Sequence, residues 1–243
     1  MKMMTFAKRC SKEILRDPLN LAFGLGFPVV LLLLLSVIQS NVPVSLFEIE
    51  SLTPGITVFG LSFMTLFSAT LLARDRENSF LQRLYTTPLK SKDFIFGYMM
   101  PMVPIAMAQG MACYIVALAL GLQPTIHILY AVLMIAPISV FYISLGLLCG
   151  SLFNIKQVGG ICGALLTNLS AWLSGVWFDL DLMGEGFLTF ANLLPFVHAV
   201  ELERAMLSGT SDGVLTHLFV VLGYTVTITC GAILIFLHKM KDQ

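Results

Sequence analysis

The side chains able to do chemistry in this sequence are few, and their grouping points to docking and binding more than to bond-making. Between Arg74 and Asp93, the residues Phe80, Leu81, Leu84 and Tyr85 fall at i, i+1, i+4 and i+5. That spacing gathers them on one face of a short helix, with the charged residues around it. Thr87-Pro88 ends this helix, because the residue before a proline avoids the helical region, and Ser91 can cap the next one. A short amphipathic helix suits a groove on a partner protein; the alternative is a solvated charged loop with incidental apolar residues. A second group is aromatic. Phe59, Phe63 and Phe67 recur every four residues, and Asn168, Trp172 and Gly175 share a face with Thr167, Ser170 and Ser174 nearby. Such a lining suits a hydrophobic or amphipathic compound, while lipid-facing phenylalanine with helix-packing hydroxyls accounts for the same pattern. His198 and Glu201 are two possible metal ligands, too few for a site, and read as a surface polar pair.

Catalytic sets are missing. The chain has no Gly-x-x-x-x-Gly-Lys-[Ser/Thr] phosphate loop and no His-Glu-x-x-His, and no Ser/His/Asp set falls on its apolar runs. Its five cysteines (Cys10, Cys113, Cys149, Cys162 and Cys230) have neither a disulfide pattern nor zinc spacing.

These residues must be positioned by apolar helices. Hydrophobic residues make up 57% of the 243 and charged residues 12%, with a mean hydropathy of +0.89. Soluble domains carry about 25% charged residues, so the composition excludes a soluble enzyme and a disordered chain and identifies an all-α integral membrane protein. Lys+Arg and Asp+Glu balance at 14 each, which leaves no net basic charge for a nucleic-acid partner. Six transmembrane helices are expected: Leu19–Ser40, Thr53–Ala73, Gly97–Leu120, Ile128–Leu152, Val158–Phe178 and Val214–Leu237. Each is long enough to cross a hydrocarbon core of about 30 Å. The apolar runs are continuous, which excludes a β-barrel.

The basic residues are segregated. Lys2, Lys8, Arg9, Lys12 and Arg16 precede the first run, Arg74, Arg76, Arg83, Lys90 and Lys92 share one loop, Lys156 lies in a short loop, and Lys239 and Lys241 end the chain. Most acids fall in the alternate loops. The positive-inside rule then predicts cytoplasmic termini and a cytoplasmic segment 74–96. Phe6, Ile14 and Leu15 among the N-terminal cations suggest that residues 1–18 form a helix on the inner membrane surface, retained rather than cleaved. The segment 179–213 is an outer one: Gly186–Leu194 is apolar but too short to cross, and Pro195–Leu207 reads as a helix ended by Gly209. No Asp, Glu, Lys or Arg lies in the six expected spans, which argues against proton coupling and voltage sensing.

The order of motifs resembles the ABC type-2 transporter permeases, the short six-span exporter subunits that pair with a separate ATPase. Pro54-Gly55 stands at the second span, Asp75-Arg76-Glu77-Asn78-Ser79-Phe80 follows it, and then come Thr87-Pro88 and Gly97. Ser79 and Phe80 replace the Gly-Thr of the family run. The resemblance extends over the whole chain, read as a single transmembrane domain. It implies a dimer of permease chains, of one kind or of sister chains, with ATP-binding-cassette ATPase subunits that hold ATP and Mg, so that this chain binds no cofactor. It places Arg76, Glu77, Phe80, Arg83, Leu84 and Tyr85 in the coupling contact with the ATPase, with Lys156 in the smaller contact Asn154–Gln157. It puts Phe59, Phe63, Phe67, Asn168 and Trp172 around a substrate cavity roofed by re-entrant helices. The reading is then a permease subunit, not itself an enzyme, in a bacterial inner membrane, exporting a hydrophobic or amphipathic compound such as a drug, antibiotic, peptide or lipid-like molecule. An ion-coupled carrier and a non-transporting assembly or signalling subunit are the alternatives. Gly146-x-x-x-Gly150 and Gly159-x-x-x-Gly163 are expected at close helix contacts.

Overall fold

The computed structural model describes residues 2–43, 47–78, 91–178 and 180–241, and these residues are helical with no strand among them. The elements are α1 (Lys2–Leu15), α2 (Pro18–Leu21), a π-helical stretch Ala22–Gly26, α3 (Phe27–Asn41), α4 (Ile49–Glu77), α5 (Ser91–Ala119), α6 (His127–Leu152), α7 (Ile155–Val158), a second π-helical stretch Gly159–Leu166, α8 (Thr167–Leu173), a 3₁₀ turn Leu180–Met183, α9 (Glu185–Asn192), α10 (Pro195–Ser208) and α11 (Val214–Lys241).

Among the described residues, five helices are long and apolar enough to cross a membrane: Ala22–Asn41, Ile49–Glu77, Lys92–Ala119, His127–Leu152 and Val214–Lys239. The expected span Val158–Phe178 is not among them. It is realised as α7, the π stretch and α8, of 4, 8 and 7 residues. Lys156, Gln157 and Asn168 dilute its apolarity, and the run falls just short of the roughly 20 residues that cover the hydrocarbon. Several apolar helices of spanning length make this a multi-pass membrane protein.

Helix α4 is the centre of the bundle. In its most apolar stretch 78% of residues are buried, against 22% for Ala22–Asn41 and 17% for Val214–Lys239, which lie at the periphery. The helix starts before Pro54, which sits inside it, and the Thr53 hydroxyl donates to the Ile49 carbonyl at 2.6 Å in that first stretch. Helices α4 and α6 approach closely. A Cβ on Gly146 would collide with the Ser68 hydroxyl and the Thr65 carbonyl, and one on Gly150 would lie 2.6 Å from the Ala69 carbonyl. The missing side chains admit the α4 backbone, and Thr65 and Ser68 use the approach to donate to the carbonyls of Tyr142 (2.9 Å) and Ile143 (3.2 Å). The second glycine pair behaves differently: nothing lies within 4 Å of a Cβ on Gly159, and Gly163 meets only Leu66 at ordinary contact distance.

The helix α10 runs Pro195–Ser208, with proline in its first turn and Gly209 after it at φ +75°, as the residues predict. Arg204 pairs with Glu201 at 2.8 Å and donates to the Gly175 carbonyl at 2.9 Å, tying this segment to the end of α8. His198 meets His217 Nδ1 to Nδ1 at 2.7 Å, which ties it to α11.

Candidate coupling site

One end of the bundle gathers the basic residues that the sequence assigns to the cytoplasm. Helix α4 ends there at Glu77, and α6 ends close by at Leu152. The last carbonyls of a helix lack intrahelical donors and carry partial negative charge. Arg76 supplies donors, to the carbonyl of Gly150 at 2.6 Å and of Phe153 at 3.4 Å. Lys239, from α11, donates to the Leu152 carbonyl at 3.1 Å.

The short helix α7 begins immediately after. Asn154 caps it by accepting from the Gln157 backbone N–H at 2.9 Å, and Gln157 returns the bond to the Asn154 N–H at 3.1 Å. Glu77 accepts from the Ile155 N–H at 2.9 Å, placing its carboxylate at the N-terminal turn of α7. Thus two segments expected to meet the same partner, 74–96 and Asn154–Gln157, are joined by the side chain of Glu77, with Arg76 holding the end of α6 beside them. Lys156 is exposed beside them. Phe80, Arg83, Leu84 and Tyr85 lie outside the described residues.

Next to this junction is a buried ionic cluster that the sequence did not single out. Asp75 is 2% exposed, and Arg9 of α1 approaches it with both terminal guanidinium nitrogens, Nη2 at 2.9 Å from Oδ1 and Nη1 on Oδ2. Tyr98 of α5 donates to the same carboxylate at 2.6 Å, and Arg9 also pairs with Glu13 at 2.7 Å. Burial, followed by the charge of Asp75, pushes the Glu13 carboxyl up from its ordinary range. Phe6 packs edge-on against Phe94 and Tyr98, with ring centroids 5.5 and 4.9 Å away, over Gly97, where a Cβ would run into its ring. The N-terminal helix is therefore fastened to the bases of α4 and α5 one residue from Arg76.

The expected cavity residues divide into two groups. Phe59, Phe63 and Phe67 face inward within the chain. Phe63 meets Phe27 and Phe59 with centroids 5.3 and 5.8 Å away, and Phe59 meets Trp177 at 5.6 Å. Phe67 fills the space over Gly24. Asn168 and Trp172 turn outward, Trp172 with 59% of its surface exposed. Ser170 bonds the Tyr142 hydroxyl at 2.8 Å, and Thr167 and Ser174 donate to carbonyls of their own helix, so those hydroxyls serve packing.

The opposite end holds a polar pocket of about 550 Å³ whose lining includes Glu48, Glu50, His127, Glu201, Arg204 and Asp212. Near this end, α10 carries a carboxyl the sequence placed in an outer loop but which is fully buried. Glu203 accepts from Tyr114 of α5 at 2.9 Å. Its second oxygen is enclosed with no donor among the described residues. Burial raises the Glu203 carboxyl from 4.5 to about 8, against the smaller lowering effect of the Tyr114 bond. The folded chain then binds a proton that the unfolded chain releases between pH 4.5 and 8. Stability from this group is full below pH 4.5 and is lost as pH rises through about 8. Thermal unfolding in detergent at pH 5 and pH 8.5 should show a larger fall in Tm for the parent protein than for Glu203→Gln; equal falls would exclude the buried proton.

Comparison with known proteins gives the family. Residues 1–207 match the family model described as ABC-2 type transporter. Nodulation protein J of Bradyrhizobium diazoefficiens is 27% identical over 231 residues, covering 93% of this chain and 85% of that protein. The putative transport permease ycf38 of Porphyra purpurea is 29% identical over 214 residues, covering 84% and 72%, and its namesake from Cyanophora paradoxa is 24% identical over 251 residues, covering 98% and 85%. With most of its length matched, the chain belongs to the ABC-2 type transporter family of membrane permeases.

Proposed function

We propose that this chain is the permease half of an exporter driven by a separate ATP-binding-cassette ATPase. The observation that carries the reading is the junction at Glu77 and Arg76, where the base of α4 grips both the end of α6 and the N-terminus of α7. A push on segment 74–96 is thereby passed to two further helices, which is what a chain without a phosphate loop of its own requires. ATP and Mg belong to the partner, and Phe80, Arg83, Leu84, Tyr85 and Lys156 complete the contact with it.

In this reading α7, the π stretch and α8 form a sixth crossing, both termini are cytoplasmic, and segment 179–213 roofs the cavity on the outside of a bacterial inner membrane. The outward face of Asn168 and Trp172 meets a second permease chain or the cargo in a dimer, and the Phe59–Phe67 stripe forms the wall behind it. The scarcity of charge along these helices favours a hydrophobic or amphipathic cargo.

The test is reconstitution with an ATP-binding-cassette ATPase encoded beside the gene, reading compound-stimulated ATP hydrolysis and efflux. Lys156→Glu combined with Glu77→Arg should lower coupled efflux at least tenfold, with membrane insertion and Tm nearly unchanged. Full efflux by the variant would remove the coupling role. Flux without any ATPase would instead favour an ion-coupled carrier, for which the buried Glu203 carboxyl is a candidate proton site.

A further inference from the structure

Helix α1 is amphipathic in an unusual way. Phe6, Ala7 and Cys10 are buried against the bundle, and Arg9 is neutralised by Asp75 and Glu13. On the other side Lys8, Lys12 and Arg16 recur every four residues, are exposed, and form no ion pair among the described residues. Beside this stripe, Met4 and Leu15 stand 52% and 67% exposed. Between them and α5 lies a groove of about 340 Å³, floored by Met100, Pro101 and Pro104 and rimmed by Lys8. On α5 these three residues fall at i, i+1 and i+4, one face of the helix, where compact proline rings replace longer side chains. Lys8 belongs both to the apolar groove and to the adjoining basic surface with Lys12 and Arg16.

We infer that α1 and the Met100–Pro104 face of α5 form a binding site for one anionic phospholipid, an acyl chain in the groove and the phosphate on Lys8, Lys12 and Arg16. The groove offers an open apolar slot with Lys8 at its rim, and Lys12 and Arg16, which form no ion pair among the described residues, stand on the adjoining surface. A zwitterionic lipid would satisfy the groove but leave the net charge of the stripe unanswered. Each Lys or Arg at such a surface strengthens binding of anionic lipid by about fivefold. The site rests on the placement of α1 at the inner membrane surface, but not on coupling or cargo.

Native mass spectrometry of the full chain in mild detergent tests this, with phosphatidylglycerol and phosphatidylcholine of matched acyl chains as probes. The parent protein should retain one phosphatidylglycerol with at least tenfold preference, and Lys8→Gln with Lys12→Gln should bring the two lipids near parity. Ser11→Phe, which fills the groove from α1 and keeps every cation, should lose both lipids about tenfold. Met100→Phe fills it from α5 and provides a second reading should the first variant fold poorly, as judged by helicity and monodispersity. Equal retention of the two lipids by the parent protein would overturn the site. So would undiminished phosphatidylglycerol on the groove-filled variants, since attraction would then be diffuse surface charge. Loss of ATPase coupling with lipid retention intact would count against the proposed function alone.

Discussion

Replacing Gly146 by leucine is expected to abolish the folded protein. The added side chain would meet the Thr65 carbonyl and the Ser68 hydroxyl, and the first is backbone, which no rotamer change can move aside. Helix α4 would have to retreat from α6, breaking the hydrogen bonds from Thr65 and Ser68 across the interface. Overpacking a well-filled core costs about 1–3 kcal/mol, and the loss of the interhelical bonds puts the total near the top of that range or above it. Membrane fractions should contain little protein that gives a single symmetrical peak on size exclusion. Gly160→Leu is the control, because nothing lies within 4 Å of a Cβ there. Equal yields from the two variants would show that the α4–α6 contact is not the centre of stability.

Asp75→Ala should release the N-terminal helix. It removes the carboxylate that holds Arg9 and Tyr98 and leaves a guanidinium facing the protein without that partner. Breaking a buried pair from one side costs about 3–5 kcal/mol; the Arg9 side chain is 34% exposed, so the lower figure, about 3 kcal/mol, applies. Cys10 reports the event. It is fully buried on the face of α1 that meets the bundle, and burial pushes its thiol up to about 12, so it should resist maleimide in the parent protein. In a Cys230→Ser background, which removes the one exposed cysteine, Asp75→Ala should label at Cys10 at least tenfold faster. Tyr98→Phe removes one hydrogen bond and should show a smaller change. Adding Arg9→Ala to Asp75→Ala should cost less than the sum of the two single changes, because the pair they share is already lost. Protection of Cys10 in Asp75→Ala would mean that the Phe6 seat over Gly97 alone fastens α1.

The apolar helices, the N-terminal helix and the bounds of α10 were legible in the residues, because each depends on local composition or on a turn residue next to it. Pro195 and Gly209 delimit their helix by backbone chemistry that needs no tertiary context. The Arg9–Asp75 pair was not legible, since the partners are 66 positions apart and each alone reads as part of a charged flank. Glu203 was misplaced for a related reason. It follows Glu201 and precedes Arg204, a charged run that looks solvated, yet the helix turns Glu201 and Arg204 outward together and Glu203 into the bundle. The phenylalanine stripe was correctly read as one face, but periodicity does not say what that face meets: here it meets Phe27 and Trp177. The fifth run was legible as helix but not in its division, since a change from α to π geometry at Gly159–Leu166 leaves no periodic mark in a run that is apolar on all sides.

The two π-helical stretches, Ala22–Gly26 and Gly159–Leu166, carry a consequence for how the fold can vary. A wide turn accommodates a residue that an α-helix would not, so it stores an insertion within a helix whose ends stay fixed. Removing one residue from Gly159–Leu166 would let the helix close to regular geometry with Asn168 and Trp172 still on the open flank, whereas removing one from the α-helical residues that follow would turn everything beyond it by about 100°. Glu77, Asn154 and α7 would stay in place in either case. The wide stretch is thus a place where chain length can change without altering which side chains the outward face displays or disturbing the basic end.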